Sequence, residues 1–236
     1  MLLGARQMWR GGAALPYDAE VEYLESTGTQ WIDTGIPGNS YVSMLKVSTK
    51  VWITSFSYSR EWSIAGAKLL PTKNIGWTLF GANNRRDQRS WVVEGSTWAN
   101  MFDHSLSEPT EFSVTFNKPT GRVCEVVGGA SISHPANNNF TSTTGNVALL
   151  IDNTNNDRIY TSPLKAKLYY FRMMIDSVLV CDLQPVRFTN ENGVSEGAMF
   201  DRANPTVGMN PDGSARDDGL YRNCGTGAFV IGPDIT

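Results

Sequence analysis

Residues 21–35 constrain the fold most, because they have the pattern of two strands around a tight turn. The segment reads VEYLESTGTQWIDTG. Apolar residues flank its Ser-Thr-Gly-Thr stretch, whose residues bond their own backbone or tolerate unusual backbone angles. It predicts a strand, a turn and a second strand that stops at Gly35.

Alternating apolar and polar residues predict further strands along the chain. One run covers residues 112–116, and a second covers residues 122–127 after a turn that contains Pro and Gly. Together they predict a hairpin. A longer hairpin is predicted over residues 164–183, with its turn at Asp176-Ser177.

Composition agrees with an all-β chain. The chain has 236 residues, with 22 Gly, 7 Trp, 8 Tyr and 10 Phe and only 18% charged residues. All-β sandwiches of roughly 200–250 residues form single domains, and no helical stripe, repeat or linker interrupts the pattern. We therefore predict a two-sheet antiparallel jelly-roll sandwich over residues 17–236, preceded by an N-terminal arm of residues 1–16.

Charge and hydropathy exclude two classes of partner. The net charge is −3, the pI is about 5.4 and no block of Lys and Arg occurs, so no nucleic acid partner is predicted. No apolar run approaches about 20 residues, so no membrane partner is predicted. Cys124, Cys181 and Cys224 are odd in number without a Cys-x-x-Cys motif, and are predicted to be buried thiols.

The predicted arm carries apolar side chains. Leu2, Leu3, Met8 and Trp9 would expose apolar surface on a monomer. We expect the arm to pack on another copy of the chain or on a particle that carries it. The arm is also a poor signal peptide, because Arg6 interrupts its short apolar stretch.

Four segments in order resemble one family of proteins. They are VEYLESTGTQWIDTG at 21–35, KLYYFR to LQPVR at 167–187, GAMFDR at 197–202 and YRNCGTGAF to GPD at 221–234. They are similar to segments of concanavalin-A-like, or laminin-G-like, jelly-roll modules in phage structural proteins and gut-bacterial surface proteins. The resemblance implies a jelly-roll fold and a virion or cell-surface setting. It implies no catalytic residues, because these motifs are turn glycines, core aromatics and strand ends.

The chain departs from the family pattern in places. Ser177 stands where the turn glycine is usual, and Cys181 where Arg is common. Residues 204–219 form an insertion before the last segment. No family motif occurs in residues 37–160.

An enzyme alternative rests on three acidic residues. Glu20, Glu22 and Glu25 approach the Glu-x-Asp-x-x-Glu strand of laminarinase-type glycoside hydrolases, which share the sandwich fold. Here Glu replaces the middle Asp, and the segment lies on the first strand rather than on a mid-sheet strand. We predict no catalytic residues, since a fold alone does not confer a function.

Two loops carry oxygen ligands suited to calcium. The sets are Asp152, Thr154, Asn156 and Asp157, and Asp212, Ser214, Asp217 and Asp218. Neither has the pattern of an EF-hand loop, and Asx turns are the alternative reading. We predict no cofactor, with calcium at Asp152, Asn156 and Asp157 as the alternative.

The tryptophans suggest a binding surface. Trp62 and Trp77 have strand-like contexts that predict core positions. Trp91 and Trp98, with Asn84 and Arg89, are predicted to form a surface for a glycan or a protein, because exposed Trp stacks on sugar rings.

The residues and the resemblance lead to one prediction of function and two alternatives. The first is a non-enzymatic virion protein of a phage, such as a capsid decoration, head-fibre or tail-tip component, whose partners are other virion proteins, copies of itself or host-surface glycans. The second is a secreted or surface carbohydrate-binding module of a gut bacterium. The third is a laminarinase-type glycoside hydrolase. The absence of a signal peptide favours the virion.

Overall fold

The computed structural model describes most of the chain. The described residues are 14–38, 43–55, 62–69, 75–81, 90–94, 97–102, 106–117, 120–129, 131–135, 145–153, 160–161 and 164–235. Within them every regular element is a β-strand. None of them forms a helix long and apolar enough to span a membrane.

The strands are numbered in chain order. They are β1 (Ala19–Glu20), β2 (Leu24–Thr27), β3 (Ile32–Pro37), β4 (Met44–Ser55), β5 (Trp62–Leu69), β6 (Ile75–Gly81), β7 (Ser90–Glu94), β8 (Thr97–Phe102), β9 (Thr110–Asn117), β10 (Gly121–Val126), β11 (Ser131–His134), β12 (Asn146–Leu149), β13 (Asp152–Asn153), β14 (Tyr160–Thr161), β15 (Lys165–Ile175), β16 (Val178–Thr189), β17 (Ser195–Asp201), β18 (Gly208–Met209), β19 (Ala215–Arg216), β20 (Leu220–Tyr221) and β21 (Val230–Ile231).

Two sheets form the sandwich, which confirms the predicted fold. The larger sheet has the order β11-β10-β9-β4-β15-β16-β17-β20-β18-β19, with β1 beside β16 and β2 between β15 and β21. The smaller sheet has the order β3-β12-β5-β6-β7-β8, and β13 pairs separately with β14. The described pairings are antiparallel except that of β18 with β20, where Met209 pairs with Tyr221 in parallel.

Both predicted hairpins are present. Strands β9 and β10 pair over residues 112–126. Strands β15 and β16 meet at a turn where Asp176 has φ of +47° and Ser177 has φ of +69°. Two successive positive φ values characterise the tight turn that matches strand twist. Ser177 thus adopts the left-handed conformation for which glycine is usual.

Residues 21–35, here called the opening segment, cross from one sheet to the other. Its first strand, β2, pairs with β15 and β21 in the larger sheet, and its second, β3, pairs with β12 in the smaller one. The prediction that Gly35 ends the second strand is wrong, since β3 continues to Pro37. Gly35 has φ of +65°, and the register with β12 shifts there between Asn146 and Ala148. The glycine therefore marks a bulge.

The main core lies between the sheets. Its members from the larger sheet include Val47, Phe112 and Phe171, and those from the smaller sheet include Ile64 and Leu149. All five are at most 1% exposed. Burial of this kind supplies most of the folding free energy of a sandwich.

A second cluster covers the other face of the larger sheet. Residues of β16 face opposite sides, so Leu183 joins the main core while Val186 and Phe188 join the second cluster. Leu15 and Tyr17 complete it and are 9% and 6% exposed.

This second cluster bears on the predicted arm. The predicted boundary places Leu15 in the arm, yet Leu15 packs on the sheet. The other apolar arm residues, Leu2, Leu3, Met8 and Trp9, lie outside the described residues, and their role stays a prediction. Cys124 and Cys181 are buried, as predicted, whereas Cys224 is only half-buried.

Candidate ligand-binding cleft

Two of the four family-like segments, residues 21–35 and 221–234, are joined by backbone hydrogen bonds. The segment after β20 runs beside the stretch between β2 and β3. The backbone amide of Cys224 donates to the carbonyl of Trp31 at 2.9 Å, and that of Thr226 donates to the carbonyl of Thr29 at 3.1 Å. The loop of residues 222–229, here called the terminal loop, is therefore held against the opening segment.

Asn223 organises the terminal loop from inside. Its Oδ1 accepts hydrogen bonds from the amides of Trp31 at 3.2 Å and Gly225 at 2.9 Å. Its Nδ2 donates to the carbonyl of Gly227 at 2.6 Å. One side chain thus fixes the middle of the loop and its contact with the opening segment.

Gln30, in the opening segment, also joins that segment to the terminal loop. It is 3% exposed. Its Nε2 donates to the carbonyl of Thr226 at 3.1 Å, and its Oε1 accepts from the amide of Thr27 at 2.8 Å. The predicted Ser-Thr-Gly-Thr turn is therefore closed by a side chain that also binds the terminal loop.

The glycines of the terminal loop are required by this close approach. A Cβ at Gly225 would lie 1.8 Å from the carbonyl oxygen of Thr29, which no rotamer change relieves. Gly227 has φ of +72°, in the left-handed region. The loop geometry consequently depends on both residues.

A cleft of about 500 Å³ opens between the terminal loop, the start of β17 and the insertion. Its lining residues are Glu196, Gly197, Pro211, Arg222, Asn223, Gly225, Gly227, Ala228 and Phe229. Apolar surface comes from Pro211 and Ala228, while Phe229 belongs to the main core and is only 5% exposed. Charge comes from Glu196 and Arg222. Hydrogen bonds to Thr29 and Trp31 hold the terminal loop, and with it this wall of the cleft, in place.

Arg222 is the distinctive side chain of this cleft. Its guanidinium carbon lies 4.7 Å from the centroid of the Phe188 ring, a cation–π contact. Its Nε is buried from solvent and has no hydrogen-bond partner among the described residues. Burial lowers the pKa of Arg222 below its ordinary value, and the positive charge of Arg216 acts in the same direction.

The charged neighbours of Arg222 already have partners. Arg216 pairs with Asp218 and also donates from Nη1 to Oδ1 of Asn210 at 2.7 Å. Burial raises the pKa of Asp218, but hydrogen bonds from Arg216 and a backbone amide outweigh it, so the pKa of Asp218 is lowered overall. The Oε1 of Glu196 accepts from Nδ2 of Asn190 at 2.5 Å.

The predicted tryptophan surface lies elsewhere, on the outer hairpin of the smaller sheet. Trp91 is on β7 and pairs in register with Asn100, while Trp98 is on the edge strand β8 and pairs with Val93. Asn84 and Arg89 lie outside the described residues. This surface stays a prediction.

A third tryptophan has a place outside the main core. Trp52 is half-buried, and the Nζ of Lys167 lies 4.6 Å from the centroid of its ring. The same ammonium lies 4.1 Å from the ring centroid of Tyr23. Lys167 thus joins aromatic side chains of β4 and the opening segment on the larger sheet.

The three glutamates of the enzyme alternative have structural partners or face solvent. Glu20 accepts from Nη2 of Arg202 at 2.6 Å and from the Tyr17 hydroxyl at 3.1 Å. Glu25 lies 4.0 Å from Nζ of Lys167, and Glu22 is exposed. Glu20 belongs to β1 and Glu25 to β2, strands that pair with different partners. The single strand with three acids that the hydrolase pattern requires is therefore not formed.

The two predicted calcium loops differ in what can be described. The side chains of Asp152, Asn156 and Asp157 lie outside the described part of the structure, so that site stays a prediction. In the second loop, Asp212 accepts from the amide of Ser214 at 2.9 Å, as in an Asx turn. Among the described residues, no three Asp, Glu, His or Cys side chains converge as metal ligands would.

Comparisons with known proteins bear on the fold. No known protein family matches the chain, and no curated protein is similar to it in sequence. Among solved structures, a Bacteroides ovatus protein proposed to bind carbohydrate has a TM-score of 0.57 at 12% identity. The match covers 92% of this chain and 62% of that protein. The chain thus spans less than two thirds of its length, and the likeness shows a shared β-sandwich fold.

Other solved structures are similar to a smaller degree. A sialidase of Trypanosoma rangeli in complex with a difluorinated sugar acid has a TM-score of 0.42 at 12% identity, covering 73% of this chain and 33% of that one. A botulinum neurotoxin type C structure, described by its interaction with two ganglioside molecules, has a TM-score of 0.41 at 10% identity, covering 92% and 69%.

Sequence reasoning does not select the cleft residues. The motif YRNCGTGAF is interpreted from the sequence as structural, and Asn223, Gly225 and Gly227 do have structural roles. The available signal is Arg222, a cation inside a glycine-rich loop. Whether Arg222 forms an ion pair depends on residues that are distant in the sequence, so its neighbours in the sequence do not mark it as a binding residue.

Proposed function

We propose that the chain is a non-catalytic β-sandwich module that binds glycans in the cleft at the terminal loop. The observation that carries the proposal is a concave site with apolar walls and a few convergent polar groups. Sites of this composition bind small ligands, because apolar walls exclude water while polar groups fix orientation. A sugar ring presents both an apolar C–H face and hydroxyl groups, and matches such a lining.

The shared fold supports the proposal. The Bacteroides ovatus protein with the same sandwich is itself proposed to bind carbohydrate. A non-catalytic role agrees with the ion pairs of Glu20 with Arg202 and of Glu25 with Lys167.

We extend the proposal to the setting of the protein. The four family-like segments support a role as an attachment component of a phage virion, with copies of itself or other virion proteins as partners. A surface or secreted module of a gut bacterium is the alternative, and glycan binding would serve both. Tryptic peptides of this chain in purified phage particles would support the virion. Their presence only in a bacterial envelope or culture medium would support the alternative.

Binding is tested on an array of neutral and acidic glycans with the full chain. Ala228→Trp adds bulk to the cleft wall and should abolish binding without unfolding the protein. Val178→Trp, at the exposed tip of the β15–β16 turn, is the matched control and should leave binding unchanged. If binding survives Ala228→Trp, the ligand binds elsewhere.

The same array tests the other predicted sites. Trp91→Ala and Trp98→Ala should leave binding unchanged if the cleft is the site, and should abolish it if the predicted tryptophan surface is. Adding EDTA or calcium chloride to the array buffer tests the predicted calcium site. A calcium requirement would assign a role in binding to the loop of residues 152–157.

A further inference from the structure

Arg222 differs from other arginines of the protein in having no acidic partner among the described residues. Four others each pair with a carboxylate: Arg172 with Asp182, Arg187 with Asp234, Arg202 with Glu20, and Arg216 with Asp218. Within the described ranges the Arg222 guanidinium forms no ion pair, and its buried Nε has no hydrogen-bond partner. A partly buried cation without a counter-ion is unfavourable, because desolvation is not repaid.

The charges of Asp218, Glu196 and Glu191 favour the charged form of Arg222, but within the described ranges none of these acids forms an ion pair with it. The carboxylate of Asp218 pairs with Arg216, and that of Glu196 accepts a hydrogen bond from Asn190. Phe188 supports one face of the Arg222 guanidinium and Nε is buried from solvent, so a ligand would reach the two Nη groups. A planar guanidinium fork matches the two oxygens of a carboxylate.

We infer that the cleft takes an acidic sugar, such as a uronic or sialic acid, whose carboxylate pairs with Arg222. The inference rests on the proposed glycan-binding function and names the ligand class for the same cleft. The carboxylate supplies the counter-ion that Arg222 lacks. The apolar side chains of Pro211 and Ala228 would contact the ring, and Glu196 would accept hydrogen bonds from sugar hydroxyls.

A neutral sugar would leave Arg222 without an ion-pair partner. The cleft should therefore select acidic sugars over neutral sugars of the same size. This selectivity is a consequence of charge pairing, so it should weaken at high salt.

The inference is tested by titrating the full chain, labelled with ¹⁵N, and following the Nε–H resonance of Arg222. That resonance is assigned by its absence in Arg222→Gln. The probes are N-acetylneuraminic acid and glucuronic acid, with glucose and N-acetylglucosamine as neutral sugars and sodium acetate as a carboxylate without a ring. We expect only the two acidic sugars to bind well and to shift the resonance.

The variants separate charge from shape. Arg222→Gln should weaken binding of the acidic sugars at least about tenfold. Arg222→Lys keeps the charge without the fork and should retain part of the binding. Arg172→Gln removes an arginine from another region and should change nothing. If Arg222→Gln fails to fold, Arg222→Lys and the wild-type resonance decide the question.

Each outcome has a distinct meaning. Equal binding of neutral and acidic sugars, or acidic binding that leaves the Arg222 resonance unmoved, overturns this inference and leaves glycan binding intact. Acetate binding as tightly as the sugar acids overturns the sugar as ligand. No sugar binding here or on the array overturns the proposed function as well.

Discussion

The Oδ1 of Asn223 accepts a hydrogen bond from the backbone amide of Trp31 at 3.2 Å, although the two residues are 192 positions apart. This bond joins the terminal loop to the opening segment of the domain. Because the same side chain also binds Gly225 and Gly227, one residue contributes both to the wall of the cleft and to the junction of the terminal loop with the opening segment.

Replacing Asn223 by alanine should destabilise the protein. It leaves the amides of Trp31 and Gly225 without their acceptor, at a cost of about 1–3 kcal/mol. Urea denaturation measures the free energy of unfolding. The exposed Asn192 is the control, and Asn192→Ala should change stability by less than about 0.5 kcal/mol. Equal effects of the two substitutions would contradict the role of Asn223.

Gly225→Ala should be more severe than a glycine substitution in open space. Its Cβ would overlap the carbonyl oxygen of Thr29, so the loop must move, at a cost of about 3 kcal/mol or more. Gly128 has φ of +73°, and a Cβ there would meet no atom within 4 Å, so Gly128→Ala should cost only about 1 kcal/mol. Thermal unfolding of both variants checks the difference. Similar melting temperatures would show that the loop yields easily.

We expect no hydrolysis of β-glucans by the unsubstituted protein, and Glu20→Gln and Glu25→Gln should therefore not change the result. The measurement is the release of reducing ends from laminarin. Glu20→Gln should also lose up to about 1 kcal/mol of stability through its partly exposed ion pair with Arg202. Hydrolysis by the unsubstituted chain that either substitution abolishes would restore the enzyme alternative.

Shortening the N-terminus should have two separable effects. A chain beginning at Tyr17 loses Leu15 from the second cluster and should be less stable than one beginning at Ala14 by about 1.5–3 kcal/mol. The chain beginning at Ala14 should match the full chain in stability. Urea denaturation of the three chains measures both differences, and equal stability of the two shortened chains would show that Leu15 contributes nothing.

Association is the second effect of the same truncation. Removal of residues 1–13 takes away Leu2, Leu3, Met8 and Trp9, and should reduce assembly as measured by light scattering or particle binding. If the chain beginning at Ala14 assembles as well as the full chain, the arm has no role in association.

The sequence by itself determined the fold class and the local turns. The alternation in residues 112–116 and the Asp176-Ser177 turn predicted their hairpins correctly, because strand alternation and turn conformation depend on neighbouring residues. The four family-like segments likewise indicated the sandwich that the structure has.

Tertiary structure decided where those elements meet. The sequence of the opening segment could not show that β2 and β3 belong to different sheets. The backbone groups along a strand edge can pair with any other strand, so the local sequence does not select the partner. Leu15 could not be assigned to the domain, because its neighbours in the second cluster come from β16, β17 and β20. Nor could Arg222 be singled out, since whether a charge is paired depends on which residues approach it through space.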